Sequence, residues 1–214
     1  MNTDLTEYYR LRAREYEAIY RKTERREDLN ALEILLQHTF AGLDVFETAC
    51  GTGYWTEKIS KTARTVTASD INDEVLAVAR SKSYDCPVVF QQEDLFSPVP
   101  DVDSRFDALF GGFIWSHIST ILLIKVLENL SKRIRPGGRL LFVDNRFVDG
   151  SSTPIHSLDA DGNTYQLRTL SNDSQHLVLK NFPSPGDIHR VLSGIGKVEI
   201  QELTYFWMAE CTLI

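Results

Sequence analysis

The residues of this 214-residue chain that could do chemistry gather at the ends of short apolar runs. Val45 to Thr56 reads VFETACGTGYWT, an apolar run that passes through a glycine turn into a helical pattern. Gly51 and Gly53 let backbone approach a ligand closely, and the first amides of the following helix are free to donate. Glu47 stands at the end of that run, and Asp70 ends the next one, 19 residues past Gly51. A carboxylate so placed can accept both hydroxyls of a ribose held over the glycine turn. Ile71 beside it and Leu95 after the third run can enclose an adenine ring, and Asp94 can accept from the adenine amino group. Any one of these is more often plain strand-end polarity, and only the joint spacing singles them out.

A second set faces the same rim. Gly111 to His117 reads GGFIWSH, and His117 ordinarily titrates near neutrality, so it can remove a proton or make a structural hydrogen bond. Asp144, Asn145 and Arg146 end a fifth run, where Arg146 can hold a carboxylate or form an ion pair within the fold. Tyr9, Ala13, Tyr16 and Tyr20 fall on one helical face, either as packing or as a lid whose hydroxyls reach a ligand. Tyr165, Arg168 and Lys180 can cover the site from a later hairpin. The basic group Arg21, Lys22, Arg25 and Arg26 is followed at once by Glu27 and Asp28, so it reads as a solvated helix face before it reads as a contact for an anion.

The elements that must position these residues alternate. Helices are expected over residues 5–20 and 29–40, the second with Leu32, Leu35, Leu36 and Phe40 inward. LDVFETA, TVTASD, VVFQQED, FDALFGG and RLLFVDNRF read as strands. Helical patterns separate them, with Asn72 and Ser119 as caps and Leu122, Leu123, Val126, Leu127 and Leu130 facing inward before an RPGG turn. Five apolar strands joined through helices make a parallel α/β sheet wound on both faces, and ligands of such sheets bind at the strands' carboxyl ends. TYQLRTL and QHLVLKN form a β-hairpin, PSPGDIHRVLSGIG a short helix, and VEIQEL with FWMAECTLI two antiparallel strands. One domain is expected. Its parts are an N-terminal helical lid over residues 1–41, a cofactor-binding core over 42–147, the hairpin insertion over 148–182, and the closing helix and strands over 183–214.

Composition is that of a globular protein, 43% hydrophobic and 25% charged. The formal charge of −7 argues against a nucleic-acid partner, which calls for clustered Lys and Arg. The polar start MNTDLTEYYR and the lack of a long apolar run point to a cytoplasmic protein with no membrane role. Cys50, Cys86 and Cys211 are scattered, so neither a disulfide framework nor a metal site is expected.

ETACGTG, the strand ending in Asp70, QEDLF, and RPGG followed by a strand resemble the motifs of class I S-adenosylmethionine-dependent methyltransferases of the small-molecule type, a likeness that runs from Val45 to Phe147. The resemblance implies a Rossmann-like sheet of seven strands, mostly parallel with an antiparallel last strand. It also implies S-adenosylmethionine as cofactor, held at Glu47, Ala49, Gly51, Thr52, Gly53, Asp70, Ile71, Asp94, Leu95, Gly112 and Phe113. His117 would be the catalytic residue, and Trp115 with Tyr9, Tyr16, Tyr20, Arg146 and Tyr165 would meet the acceptor. The segment after the fourth strand lacks the Asn/Asp-Pro-Pro-aromatic sequence that holds a flipped base. The expected activity is N- or O-methylation of a small molecule by a monomer or homodimer. The alternatives are a protein or RNA methyltransferase, a nonenzymatic adenosyl-binding module, and an NAD-dependent oxidoreductase. The last is disfavoured because the third glycine of its fingerprint would fall at Thr56.

Overall fold

Strands and helices alternate from Asp44 to Gln92 and again from Phe106 to Asn145, as the apolar pattern requires. The computed structural model describes residues 5–13, 16–99 and 105–214. Helices α1 (Leu5–Arg12) and α2 (Arg26–Thr39) lead to β1 (Asp44–Thr48), α3 (Tyr54–Ser60), β2 (Thr65–Asp70), α4 (Asp73–Arg80) and β3 (Val88–Gln92). Then come β4 (Phe106–Gly112), α5 (Thr120–Ser131) and β5 (Ile134–Asn145). The last third holds β6 (Ser157–Leu158), β7 (Thr164–Thr169), β8 (Gln175–Leu179), α6 (Pro185–Leu192), β9 (Gly196–Glu202) and β10 (Phe206–Leu213).

Seven strands form one sheet in the order β3-β2-β1-β4-β5-β10-β9. β1 to β5 run parallel, and β10 is antiparallel to both β5 and β9. This is the Rossmann-like sheet that the sequence implies. The chain steps outward from β1 to β3 and returns to place β4 on the other side of β1, so the strand order reverses between β1 and β4 and their carboxyl ends open a crevice there. Val45, Phe46, Leu109 and Phe110 lose all solvent contact because both faces of the sheet are covered. One core packs Leu36, Phe40, Trp55 and Ile59 against the sheet, and the other packs Leu127, Leu130, Ile188 and Leu192. Each such side chain contributes about 1.5–3 kcal/mol on burial.

Local chemistry corrects several expectations. The helix expected over residues 5–20 is divided into α1 and a 3-10 helix over Tyr16–Arg21. Leu122 is 41% exposed, because the buried stripe of α5 runs through Leu123, Val126, Leu127 and Leu130. RPGG is no separate turn: it bulges within β5, where the pairing passes from Phe106↔Ile134 to Ala108↔Arg139. Asn72 and Ser119 occupy N-cap positions without a side-chain cap bond, and Asn72 instead donates to the Thr6 carbonyl. α6 does carry a full capping box between Ser184 and Asp187.

The hairpin is joined by the short strand β6, so β6-β7-β8 is a small sheet of its own. α1 lies on it through Tyr8, Leu170 and Val178. Asn181 N donates to the Ser116 carbonyl (2.8 Å), and Thr120 N donates to Asn163 Oδ1 (2.8 Å), which ties the hairpin to the chain beyond β4. Cys50, Cys86 and Cys211 are free thiols. Among the described residues no helix is long and apolar enough to cross a membrane.

Candidate active site

Backbone strain marks the rim. Ala49 and Phe113 have φ of 51° and 61°, a left-handed conformation rare for residues with a Cβ, and each is the first residue beyond its strand, β1 or β4. The turn between Ala49 and Gly53 is fixed by Asp70, whose Oδ2 accepts from Gly51 N and Oδ1 from Asn72 N, both at 2.9 Å. Burial pushes the Asp70 carboxyl upward, and those amides oppose the shift. A cavity of about 210 Å³ opens above this turn. Ala49, Gly51, Asp70 and Asp94 form its polar side, while Ile71, Val75, Leu95 and Phe96 form an apolar slot.

The N-terminal segment roofs this cavity. Tyr9 and Tyr16 line it with their rings 5.8 Å apart. Glu17 accepts from Thr52 Oγ1 (2.8 Å) and pairs with Lys82, which fastens the roof to the glycine turn. Glu47 is buried beneath, accepting from Thr56 Oγ1 at 2.6 Å, and burial pushes its carboxyl up to about 8.

Beyond the roof lies a second cavity of about 450 Å³, walled by the N-terminal segment and the hairpin. Tyr9, Tyr16, Phe113 and His117 line both cavities. His117 Nδ1 lies 2.6 Å from the Leu179 carbonyl, which can only accept, so Nδ1 carries the ring proton. Nε2 then accepts from the Tyr9 hydroxyl at 2.7 Å. Burial, with Lys180 and Arg168 nearby, holds His117 well below its ordinary pKa and therefore neutral. Under the wall, Lys180 Nζ donates to Asp144 Oδ1 (2.8 Å) and Ser116 Oγ (2.6 Å), while Ser116 N donates to Asp144 Oδ2 (2.9 Å).

Residues 45–138 match the family model described as "Methyltransferase domain". Along nearly its whole length the chain is similar to the solved DhpI–SAM–HEP complex: 30% identity, 98% of this chain and 99% of that chain covered, TM-score 0.80. The chain belongs to the class I S-adenosylmethionine-dependent methyltransferases. Its cofactor is S-adenosylmethionine. Among curated relatives, it is 31% identical over 113 residues to a malonyl-[acyl-carrier protein] O-methyltransferase of Erwinia pyrifoliae, covering 51% of this chain and 41% of the relative. It is 32% identical over 122 residues to the ubiquinone/menaquinone biosynthesis C-methyltransferase UbiE of Psychromonas ingrahamii, covering 54% and 45%. The chain thus spans less than half the length of these curated relatives, and their acceptors differ.

The fold of this methyltransferase gathers part of the residue set that the sequence singles out. Ala49, Gly51, Asp70, Ile71, Asp94, Leu95, Gly112 and Phe113 line the first cavity. Glu47, Thr52 and Gly53 do not: Glu47 is committed to Thr56, Thr52 to Glu17, and Gly53 serves packing, since a Cβ there would lie 2.6 Å from the Tyr84 hydroxyl. Tyr9, Tyr16, Tyr20 and His117 line the second cavity, with Arg168 and Lys180.

Trp115, Arg146 and Tyr165 line neither cavity. Trp115 is 2% exposed and packs edge-on against Phe142 and Trp207 in the core. Arg146 is taken by Glu202 (3.0 Å) and the Leu203 carbonyl, the ion-pair alternative. Tyr165 bonds Asp159 (3.0 Å), because the two-residue period of β7 sends Gln166 and Arg168 to the cavity instead. The basic group divides: Lys22, itself exposed, and the half-buried Arg25 line the second cavity, while Arg21 and Arg26 do not. Sequence reasoning missed Arg12. The available signal was its position in the tyrosine-bearing segment, four residues before Tyr16.

Proposed function

We propose that this methyltransferase moves the methyl group of S-adenosylmethionine onto an oxygen or nitrogen of a small molecule held in the second cavity. The observation that carries the reading is the shared wall: Tyr9, Tyr16, Phe113 and His117 face both cavities, so a donor in one and an acceptor in the other meet there. Methyl transfer is an in-line displacement, and alignment of donor and acceptor supplies much of the rate.

The residues of the first cavity suit the cofactor. A Cβ at Gly51 would find only a Tyr16 ring carbon, at 3.8 Å, so ligand atoms can approach the turn. Each Asp70 oxygen accepts one backbone amide and keeps a further lone pair for a ribose hydroxyl. Ile71 and Leu95 supply apolar faces for adenine, with Asp94 beside them. When bound, the cofactor supplies a methyl group already activated on a positive sulfur. The chain has to align the acceptor, exclude water beneath the tyrosine roof, and take up a proton where the acceptor carries one. Neutral His117, whose Nε2 accepts from the Tyr9 hydroxyl, would take that proton by way of this hydroxyl.

Calorimetric titration of the purified chain with S-adenosylmethionine, S-adenosylhomocysteine and NAD tests the cofactor side. A screen with methyl-labelled donor over small hydroxyl, amine and acidic compounds then tests the acceptor side. Label transferred only to protein or RNA would overturn the small-molecule reading.

A further inference from the structure

The second cavity is electrically unlike the molecule that holds it. The chain carries a formal charge of −7, yet Arg12, Lys22, Arg25, Arg168 and Lys180 line this one cavity, and no carboxylate is among its described lining residues. Among the described residues, the hydrogen-bond partners of the three arginines are neutral. Arg12 donates to the Tyr8 hydroxyl (3.1 Å) and lies over the Tyr8 and Tyr16 rings. Arg168 donates to Gln166 Oε1 (2.8 Å), and Arg25 donates to Asn145 Oδ1 (3.2 Å) and to Ser151. These partners hold the guanidinium planes in place without cancelling their charge. Each guanidinium has five N–H donors, so donors remain for a ligand. Gathering like charges in a partly closed cavity is unfavourable by itself, and a bound anion offsets that cost.

We infer that the second cavity is an oxyanion site, that its ligand is a small phosphonate or phosphate monoester, and that an oxygen of that group receives the methyl. This rests on the methyltransferase reading above and narrows its acceptor. Several cations favour a dianion over a single carboxylate, and arginine forks match the paired oxygens of a phosphoryl group. The charge also lies where the methyl must arrive. The Arg12 guanidinium is 5.7 Å from the centre of the Tyr16 ring, which belongs to the shared wall. Lys180 bonds Ser116, the neighbour of His117.

At neutral pH a phosphoryl oxygen is already deprotonated, so the step needs no base. An oxygen lone pair forms the O–CH3 bond as the S–CH3 bond breaks, and the bonding pair stays on sulfur. One negative charge and one positive charge disappear together. The product, a methyl phosphonate ester or a methyl phosphodiester, carries one charge fewer, which the same cations hold less tightly and so release. His117 then acts as a fixed neutral acceptor that positions Tyr9.

The test titrates the full chain, saturated with S-adenosylhomocysteine, with methylphosphonate, inorganic phosphate, acetate and ethanol. Methylphosphonate or phosphate should bind at least tenfold more tightly than acetate, with ethanol silent; the tighter of the two names the source of the anion. Arg168→Gln and Arg12→Gln should each weaken that binding at least tenfold and leave S-adenosylhomocysteine affinity unchanged. Arg168→Lys, which keeps the charge, should recover part of the loss and so separates charge from misfolding. With labelled donor, the label should appear in a phosphorus ester. Normal S-adenosylhomocysteine binding with ethanol and methylphosphonate held equally, or with a neutral compound as the methylated product, would overturn the oxyanion site and leave the methyltransferase reading standing. Failure to bind S-adenosylhomocysteine would strike the underlying reading instead.

Discussion

The two cavities of this methyltransferase are built by different means. The first is made by the sheet itself, from strand ends, a glycine turn with left-handed backbone, and one carboxylate that accepts from two amides. The second is made mostly by side chains of α1, the 3-10 helix and the hairpin, which meet Phe113, Asn145 and Phe206 at the sheet's rim over the buried Lys180–Asp144 pair. Backbone construction fixes a site to the fold, and side-chain construction leaves its chemistry open to exchange. That contrast accounts for relatives that share the family while their named acceptors differ.

The sharpest way to break the contrast is at the seam. Lys180→Met would leave Asp144, which has no exposed surface, as an uncompensated buried charge, at a cost of about 3–5 kcal/mol in denaturant unfolding. Adding Asp144→Asn should recover much of that loss. A single variant that unfolds like the parent would show that the hairpin is not anchored there.

Asp70→Ala should cost about 1.5–3 kcal/mol of cofactor affinity, roughly tenfold to a hundredfold by calorimetry. Affinity for anions in the second cavity should stay within about threefold, since Asp70 lies outside it. Loss of both affinities would merge the two regions into one cooperative unit.

The buried titratable groups give opposite pH signatures. His117 is neutral in the fold with its pKa below the ordinary 6.5. The unfolded chain therefore binds more protons below about pH 6.5, and the contribution of His117 to stability is lost as pH falls through that range. Glu47 is raised from 4.5 to about 8, so the folded state binds more protons between those values and stability is lost as pH rises across them. Each slope approaches about 1.4 kcal/mol per pH unit at its steepest. Glu47→Gln should flatten the alkaline side of the stability curve, and His117→Gln the acid side; unchanged curves would show that neither group is shifted.

The smallest effect belongs to Arg146. Its pair with Glu202 is well exposed, with side chains 39% and 40% accessible, so Arg146→Gln should cost under about 1 kcal/mol and leave ligand affinities alone. A large loss of anion binding would return Arg146 to the acceptor side.

The same contrast governs what could be read in the sequence. Asp70, Gly51, Ile71 and Leu95 were legible because strand ends and glycine turns are local features whose spacing survives folding. Arg12 was not, because it looks like an ordinary cation on a polar helix until α1 folds over the rim, and Arg25 stood in a basic group that reads first as a solvated face. Tyr165 and Arg168 are three residues apart in one strand, so their facing turned on a register that the hairpin alone does not fix. Trp115 was misplaced for a related reason. Its neighbours Ser116 and His117 look toward the hairpin, while its own ring turns back into the core that α5 and β10 build later in the chain.

The Lys180–Asp144 pair has an evolutionary side. A lineage that replaced the hairpin to take up a new acceptor would keep the sheet and its cofactor turn, but would inherit a carboxylate stranded at the end of β5. The newcomer must bring a cation of its own to that point, or Asp144 must change with it. Position 144 and the segment after position 150 are therefore expected to have been exchanged together, as one heritable module.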